Sequence, residues 1–290
     1  MAITKNAPPV PPKITSSPKK ATPALIKHYL VAFNIISALG WAYIFILIIL
    51  HLLNLDGKGS VTVAATSKTA SSTLSRFFSS LSIFRASGGS TAAIESRVPT
   101  VLQPLYRRST TTFTRVGWPT AFVQSLALLE VLHVLLGWVR SPLQTTTMQV
   151  SSRLVLVWGI TEQFANVRSN PLYTSMVFAW STTEIIRYSF YACNLLGYEP
   201  KILLYLRYTT FYVLYPLGAS SEAFLIYATL PSSSPIPGWK SWYQGLWKPT
   251  DYFRGLLFLI WWPGLYVMYT YMIVQRRKVL KKIPSLRKQE

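Results

Sequence analysis

Long apolar blocks separated by shorter polar stretches dominate the pattern of this chain. Six of them, about 29–53, 117–139, 146–165, 172–196, 203–230 and 253–275, are long enough to cross a bilayer; a helical span needs about 20 mostly apolar residues to bridge roughly 30 Å of hydrocarbon. The first and last are almost uniformly apolar, whereas the middle four carry ionisable side chains. Trp118, Trp138, Trp247, Trp261 and Trp262 fall near the expected ends, where amphipathic rings favour the membrane–water interface. The pattern predicts an all-α membrane protein, a six-transmembrane-helix bundle over 29–275. Residues 1–28, with six prolines, five lysines and no acid, read as a disordered basic tail. Residues 56–114 read as a long Ser/Thr-rich loop with one short amphipathic segment around Leu74–Phe84. Residues 276–290 read as a second basic tail.

Composition sharpens this picture. Half of the 290 residues are hydrophobic and 13% are charged, about half the charge of a soluble domain. Disordered and collagen-like chains are excluded, and a soluble enzyme fits poorly. The formal charge of +20 invites a nucleic-acid reading, but the cations sit in tails and loops with no zinc spacing or RNA-binding aromatic motif beside them. They fit topology and attraction to anionic membrane lipid instead. With both termini cytosolic, the tails and the second and fourth loops hold 14 basic residues, against 4 in the two short loops opposite. The positive-inside rule therefore favours cytosolic N- and C-termini. A single cysteine, Cys193, excludes an internal disulfide framework, and three scattered histidines give no metal-ligand pattern.

Charged groups at bilayer depth cost several kcal/mol, so they face a bundle interior, pair, or line a cavity. Here they recur at helical spacing: Glu130 with His133, Gln149 with Ser152 and Arg153, and Glu184 with Arg187, Tyr188 and Tyr191. Tyr205, Tyr208, Tyr212 and Tyr215 step along the fifth stretch, and Glu222 follows two turns after Tyr215. Pro216 predicts a kink near Tyr212, and the small residues Gly218 to Ser221 leave room for a pocket. The plainer reading makes Glu184–Arg187 and Arg153–Glu130 interior ion pairs that fix helix register, the tyrosines packing, and His133 a hydrogen-bonded interior histidine. Intramembrane charge also suits a transporter, although no inverted repeat or pair of broken helices in corresponding halves is visible.

Several of these stretches together closely resemble one family. They are Gln124 to Glu130, Leu136 to Pro142, Gln149 to Arg153, Ala179 to Tyr188, and Arg207-Tyr208 followed by Leu214-Tyr215-Pro216, Gly218 and Ser221-Glu222. Asn34 and Gly40-Trp41 match as well. The resemblance is to the membrane 3-hydroxyacyl-CoA dehydratases of fatty-acid elongation, also called protein-tyrosine-phosphatase-like. It covers about residues 25–55 and 115–280. The phosphatase signature itself is missing, because Glu199 stands where a Cys-x5-Arg motif starting at Cys193 needs arginine. The proline-rich tail and the long first loop depart from the family pattern without touching a motif.

The resemblance implies a six-span fold in the endoplasmic reticulum membrane. It also implies dehydration of a very-long-chain (3R)-3-hydroxyacyl-CoA to the trans-2-enoyl-CoA, the third step of elongation, with no cofactor. Its implied partners are the ketoacyl synthase, ketoacyl reductase and enoyl reductase of the cycle. The family's catalytic Tyr and Glu carry over onto Tyr215 and Glu222. The reaction needs a base for the C2 proton and an acid for the C3 hydroxyl. Glu222 as base and Tyr215 as acid is the working assignment, and the reverse satisfies the same requirement. Gln149, Arg153, Glu184, Arg187, Tyr188 and Arg207, which stand in the same motifs, are expected to bind substrate or support the site. Arg140, Lys201, Arg276, Arg277 and Lys278 would surround a cytosolic mouth as partners for the CoA phosphates. Arg287 and Lys288 near the C-terminus resemble a retrieval signal. A family member that has lost activity and acts as an elongase scaffold is the alternative.

Overall fold

The computed structural model describes residues 23–55, 95, 98–231 and 247–286, with side chains through Val279. Most of the N-terminal basic tail, the Leu74–Phe84 segment, and Arg287 with Lys288 lie outside the described residues, whereas residues 276–286, expected as tail, continue the last helix. Within them the chain is helical and contains no strand.

The first helix, α1 (Ala24–Leu52), buries Leu30, Asn34, Ser37, Trp41, Ile44, Ile48 and His51. The alternating steps of four and three are the 3.5-residue repeat that keeps one seam of a helix against a partner. Ile36, Leu39, Tyr43 and Ile46 on the other faces are exposed, as a lipid-facing surface requires. A short helix, α2 (Gln103–Ser109), occupies the end of the region expected to be loop. Then come α3 (Phe113–Ser125) and α4 (Leu128–Leu135), joined through a tight turn in which the Ala127 amide donates to the Gln124 carbonyl at 3.1 Å.

The third expected span is not one regular helix. Helix α5 (Leu143–Leu154) runs directly into a π-helical turn, Val155–Thr161. The turn closes where the Glu162 amide donates to the Val157 carbonyl at 2.9 Å. Such wide turns are rare and cluster at functional sites; this one follows Arg153 immediately. After the single turn of α6 (Ala165–Arg168) comes α7 (Pro171–Leu196), against which both α1 and α9 pack.

The ends of α7 are written in its sequence. The Asn170 side chain caps the Leu172 amide at 3.0 Å, and Pro171 holds the first helical position, where a missing N–H costs nothing. At the other end Gly197 adopts φ 91°, and the Tyr198 amide reaches the Cys193 carbonyl at 2.9 Å. This left-handed closure favours glycine.

The fifth stretch is broken earlier than its proline suggests. Helix α8 (Lys201–Arg207) stops at Tyr208–Thr210, and α9 (Phe211–Ala228) restarts with Pro216 inside it. The Thr210 hydroxyl donates back to the Leu206 carbonyl at 2.8 Å, the competition with backbone bonding that makes Thr a poor helix-interior residue. The break therefore lies before Tyr212, and Tyr205 turns outward and is exposed. The tyrosine stripe does not form one surface. The last helix, α10 (Pro249–Leu286), packs against α9.

Three helical stretches, Ala24–Leu52, Phe113–Leu135 and Pro249–Val279, are long and apolar enough to cross a membrane. The stretches at 146–165 and 203–230 are interrupted as described. The continuous α7 is diluted by Thr174, Ser175, Ser181 to Glu184 and Arg187. Of these side chains Thr174, Ser181 and Glu184 are buried in the interior that α1 and α9 close over α7.

Candidate active site

A cavity of about 750 Å³ opens between α4, α5, α7, α9 and α10. Tyr215, Glu222, Gln149, Arg153, Glu184, Arg187 and Arg207 all line it. Tyr188 lies behind its wall, 3% exposed, and Arg140 is exposed to the outside and takes no part in the lining. Lys201, Arg276, Arg277 and Lys278 are not lining residues either. Arg276 donates weakly to the Tyr212 hydroxyl at 3.4 Å, with its guanidinium 5.1 Å from that ring.

Along the cavity wall the charges form one chain across three helices, α4, α5 and α7. Arg187 donates from its two terminal nitrogens to both oxygens of Glu130, each at 2.7 Å, and from Nε to Glu184 at 2.6 Å. The Tyr188 hydroxyl also donates to Glu130, and Arg153 ion-pairs with Glu184. Arg153 thus pairs with Glu184 rather than with Glu130, whose two oxygens are taken by Arg187. Bidentate and charge-assisted bonds of this kind fix direction as well as charge. His133 is buried and pairs with the Tyr29 hydroxyl at 3.0 Å while stacking on Trp138, the interior role expected of it.

Glu222 is treated differently. No cation hydrogen-bonds to it among the described residues. Instead the Trp180 indole N–H donates to Oε1 at 2.6 Å and the Trp261 indole N–H to Oε2 at 3.1 Å. Trp180 is held in turn by Trp41, whose ring meets it edge-on at 6.5 Å, and by the Arg153 guanidinium 5.0 Å from its centroid. Trp261, expected near an interface, therefore points inward. Tyr215 stacks on Tyr269 at 6.5 Å, and among the described residues its hydroxyl has no hydrogen-bond partner. The break at Tyr208–Thr210 and the helical offset of two turns place Tyr215 and Glu222 on one wall. A carboxylate with no hydrogen-bonded cation among the described residues and a phenol free to donate make a potential base and acid in one chamber.

At another part of the same chamber Arg207 donates to the Tyr191 hydroxyl at 3.1 Å, with its guanidinium 4.8 Å from the Tyr191 ring and 5.0 Å from the Phe190 ring. Among the described residues no carboxylate pairs with it. No group of three or more His, Cys, Asp or Glu side chains suited to a metal occurs among them either. The roles of Trp180 and Trp261 are the ones sequence reasoning missed. The usable signal is chemical: an indole N–H has no second function and needs an acceptor when buried.

These features gather a carboxylate, a phenol and several cations in one cavity of a helical chain, three of whose helical stretches are long and apolar enough to cross a membrane. The family model described as "Protein tyrosine phosphatase-like protein, PTPLA" matches residues 124–282, and the chain belongs to this family. It is 45% identical over 177 residues to a probable very-long-chain (3R)-3-hydroxyacyl-CoA dehydratase of Schizosaccharomyces pombe, covering 61% of this chain and 78% of that one. The very-long-chain (3R)-3-hydroxyacyl-CoA dehydratase PASTICCINO 2 of Arabidopsis thaliana is 44% identical over 168 residues, 57% of this chain and 76% of the relative. Human very-long-chain (3R)-3-hydroxyacyl-CoA dehydratase 2 is 38% identical over 181 residues, 59% and 69% respectively. No solved structure matches the chain.

Proposed function

We propose that the chain is a (3R)-3-hydroxyacyl-CoA dehydratase, a hydro-lyase acting on very-long-chain substrates in the third step of fatty-acid elongation. The observation that carries this reading is that Tyr215 and Glu222 line one cavity, with both Glu222 oxygens bonded by indole N–H groups and, among the described residues, by no cation. Relatives carrying the dehydratase name support the substrate class.

In the proposed reaction a Glu222 carboxylate oxygen removes the C2 proton. The electron pair of that C–H bond becomes the C2–C3 π bond, and the C3–O bond breaks. The Tyr215 hydroxyl donates its proton to the departing hydroxyl, which leaves as water. Proton return from Glu222 to the Tyr215 phenolate restores both groups, so the sum is loss of one water. Gln149 and Arg207 offer N–H donors on the cavity wall for the thioester carbonyl or the pantetheine arm. Arg153, Glu184, Arg187 and Tyr188 keep that wall rigid, and Arg140 sits on the outside as a candidate for the CoA phosphates. No cofactor is needed for this chemistry.

The six helical stretches suit a six-span bundle with cytosolic termini in the endoplasmic reticulum membrane. The other elongation enzymes, namely ketoacyl synthase, ketoacyl reductase and enoyl reductase, are the expected neighbours. Turnover of a long-chain (3R)-3-hydroxyacyl-CoA by the purified protein tests the reading. Formation of the trans-2-enoyl-CoA is expected, and its absence at every chain length from a folded sample leaves the scaffold role in its place.

A further inference from the structure

Glu222 has an unusual coordination for a partly buried carboxylate. Both oxygens are occupied, each by a different indole N–H, and the two indoles come from different helices: Trp180 from α7 and Trp261 from α10. An indole nitrogen can only donate. Two such donors solvate an anionic carboxylate without neutralising it, whereas an arginine in their place would compete with the substrate proton for the same oxygens. Their directions are also fixed. Trp180 is 2% exposed and wedged between Trp41 and Arg153.

We infer that Trp180 and Trp261 are positioning residues that hold Glu222 as an oriented carboxylate base, one oxygen each, and so assign the acid role to Tyr215. The inference rests on the dehydratase reading and adds to it the two residues that aim the base. It also explains why the neighbouring cations are paired elsewhere: Arg153 with Glu184, and Arg187 with both Glu184 and Glu130. The charge chain behind Trp180 ends on the indole face rather than on Glu222. Arg153 therefore stiffens the donor without bonding to the base.

The test compares wild type, Trp180→Phe, Trp261→Phe and Glu222→Gln in detergent, with steady-state kinetics on a long-chain (3R)-3-hydroxyacyl-CoA. Phenylalanine keeps an aromatic ring and removes the N–H. Losing one charge-assisted donor is expected to lower kcat by about tenfold to a hundredfold in each phenylalanine variant. KM should stay within about twofold, because neither indole is proposed to bind substrate. Ultraviolet resonance Raman spectra give the independent readout. The wild-type minus Trp261→Phe difference should contain an indole band of the strongly hydrogen-bonded kind, and that band should weaken in Glu222→Gln. A Trp180→Phe protein that does not fold leaves Trp261→Phe, whose side chain is only half-buried, to decide the matter. Wild-type kcat in a folded Trp261→Phe, or a change confined to KM, overturns the inference while wild-type turnover still stands. Absence of turnover in wild type itself overturns the dehydratase reading and the inference with it.

Discussion

Replacing Arg187 by methionine separates the buried charge chain from the chemistry it supports. Arg187 makes three hydrogen bonds to two carboxylates, and the losses are unequal. Glu184 keeps Arg153 as its partner, while Glu130 keeps only the Tyr188 hydroxyl. The Glu130 side chain is 17% exposed, so its charge would stand in the interior with a single neutral donor. Removing one partner of a buried pair typically costs about 3–5 kcal/mol, and this site sits at that level because the bidentate contact is lost whole. The Arg187→Met/Glu130→Gln double variant removes the stranded charge and should recover about 1–3 kcal/mol of the loss, the coupling expected of direct partners. Reversible unfolding in mixed micelles, followed by tryptophan fluorescence, measures both values. An Arg187→Met protein within about 0.5 kcal/mol of wild type, a shift typical of an ordinary surface substitution, would refute the assignment. So would a double variant no more stable than the single one.

Two further outcomes follow from local geometry. At Gly218 a Cβ would already meet Ala179 Cβ at 3.4 Å, so Gly218→Val should force α7 and α9 apart, costing about 1–3 kcal/mol and lowering turnover through Trp180; Gly218→Ala should be close to wild type in a melting curve. At Gly197, φ 91° with open space around it makes the cost of Gly197→Ala one of backbone conformation alone. A loss of about 1 kcal/mol is expected, with kcat unchanged.

Much of this arrangement is legible in the chain, and the parts that are not share a cause. The apolar blocks locate the helices because burial and lipid exposure both act over whole turns. The Asn170-Pro171 start and Gly197 end of α7 are readable because capping is local chemistry. The polar positions that line the cavity announce themselves by standing where apolar side chains belong. What the spacing could not supply is which polar groups meet across helices. Glu130, Arg153, Glu184 and Arg187 permit several neutral pairings, and only the tertiary structure selects Arg153 with Glu184. The π-helical turn after Arg153 and the break at Tyr208–Thr210 have no sharp sequence mark, since Pro216, the conspicuous breaker, is absorbed within α9. Trp180 and Trp261 stand 42 and 39 residues from Glu222 in sequence. Their shared acceptor is therefore a property of the tertiary fold alone.

The central claim is that Glu222 and Tyr215 together carry out the elimination. Enoyl-CoA formation from a long-chain (3R)-3-hydroxyacyl-CoA, measured for wild type, Tyr215→Phe and Glu222→Gln at matched amounts of folded protein, tests it most directly. The account predicts turnover in wild type and a loss of at least about a hundredfold in kcat for each variant, the lower range for removing a general acid or base. Turnover near the wild-type rate in either folded variant would contradict it.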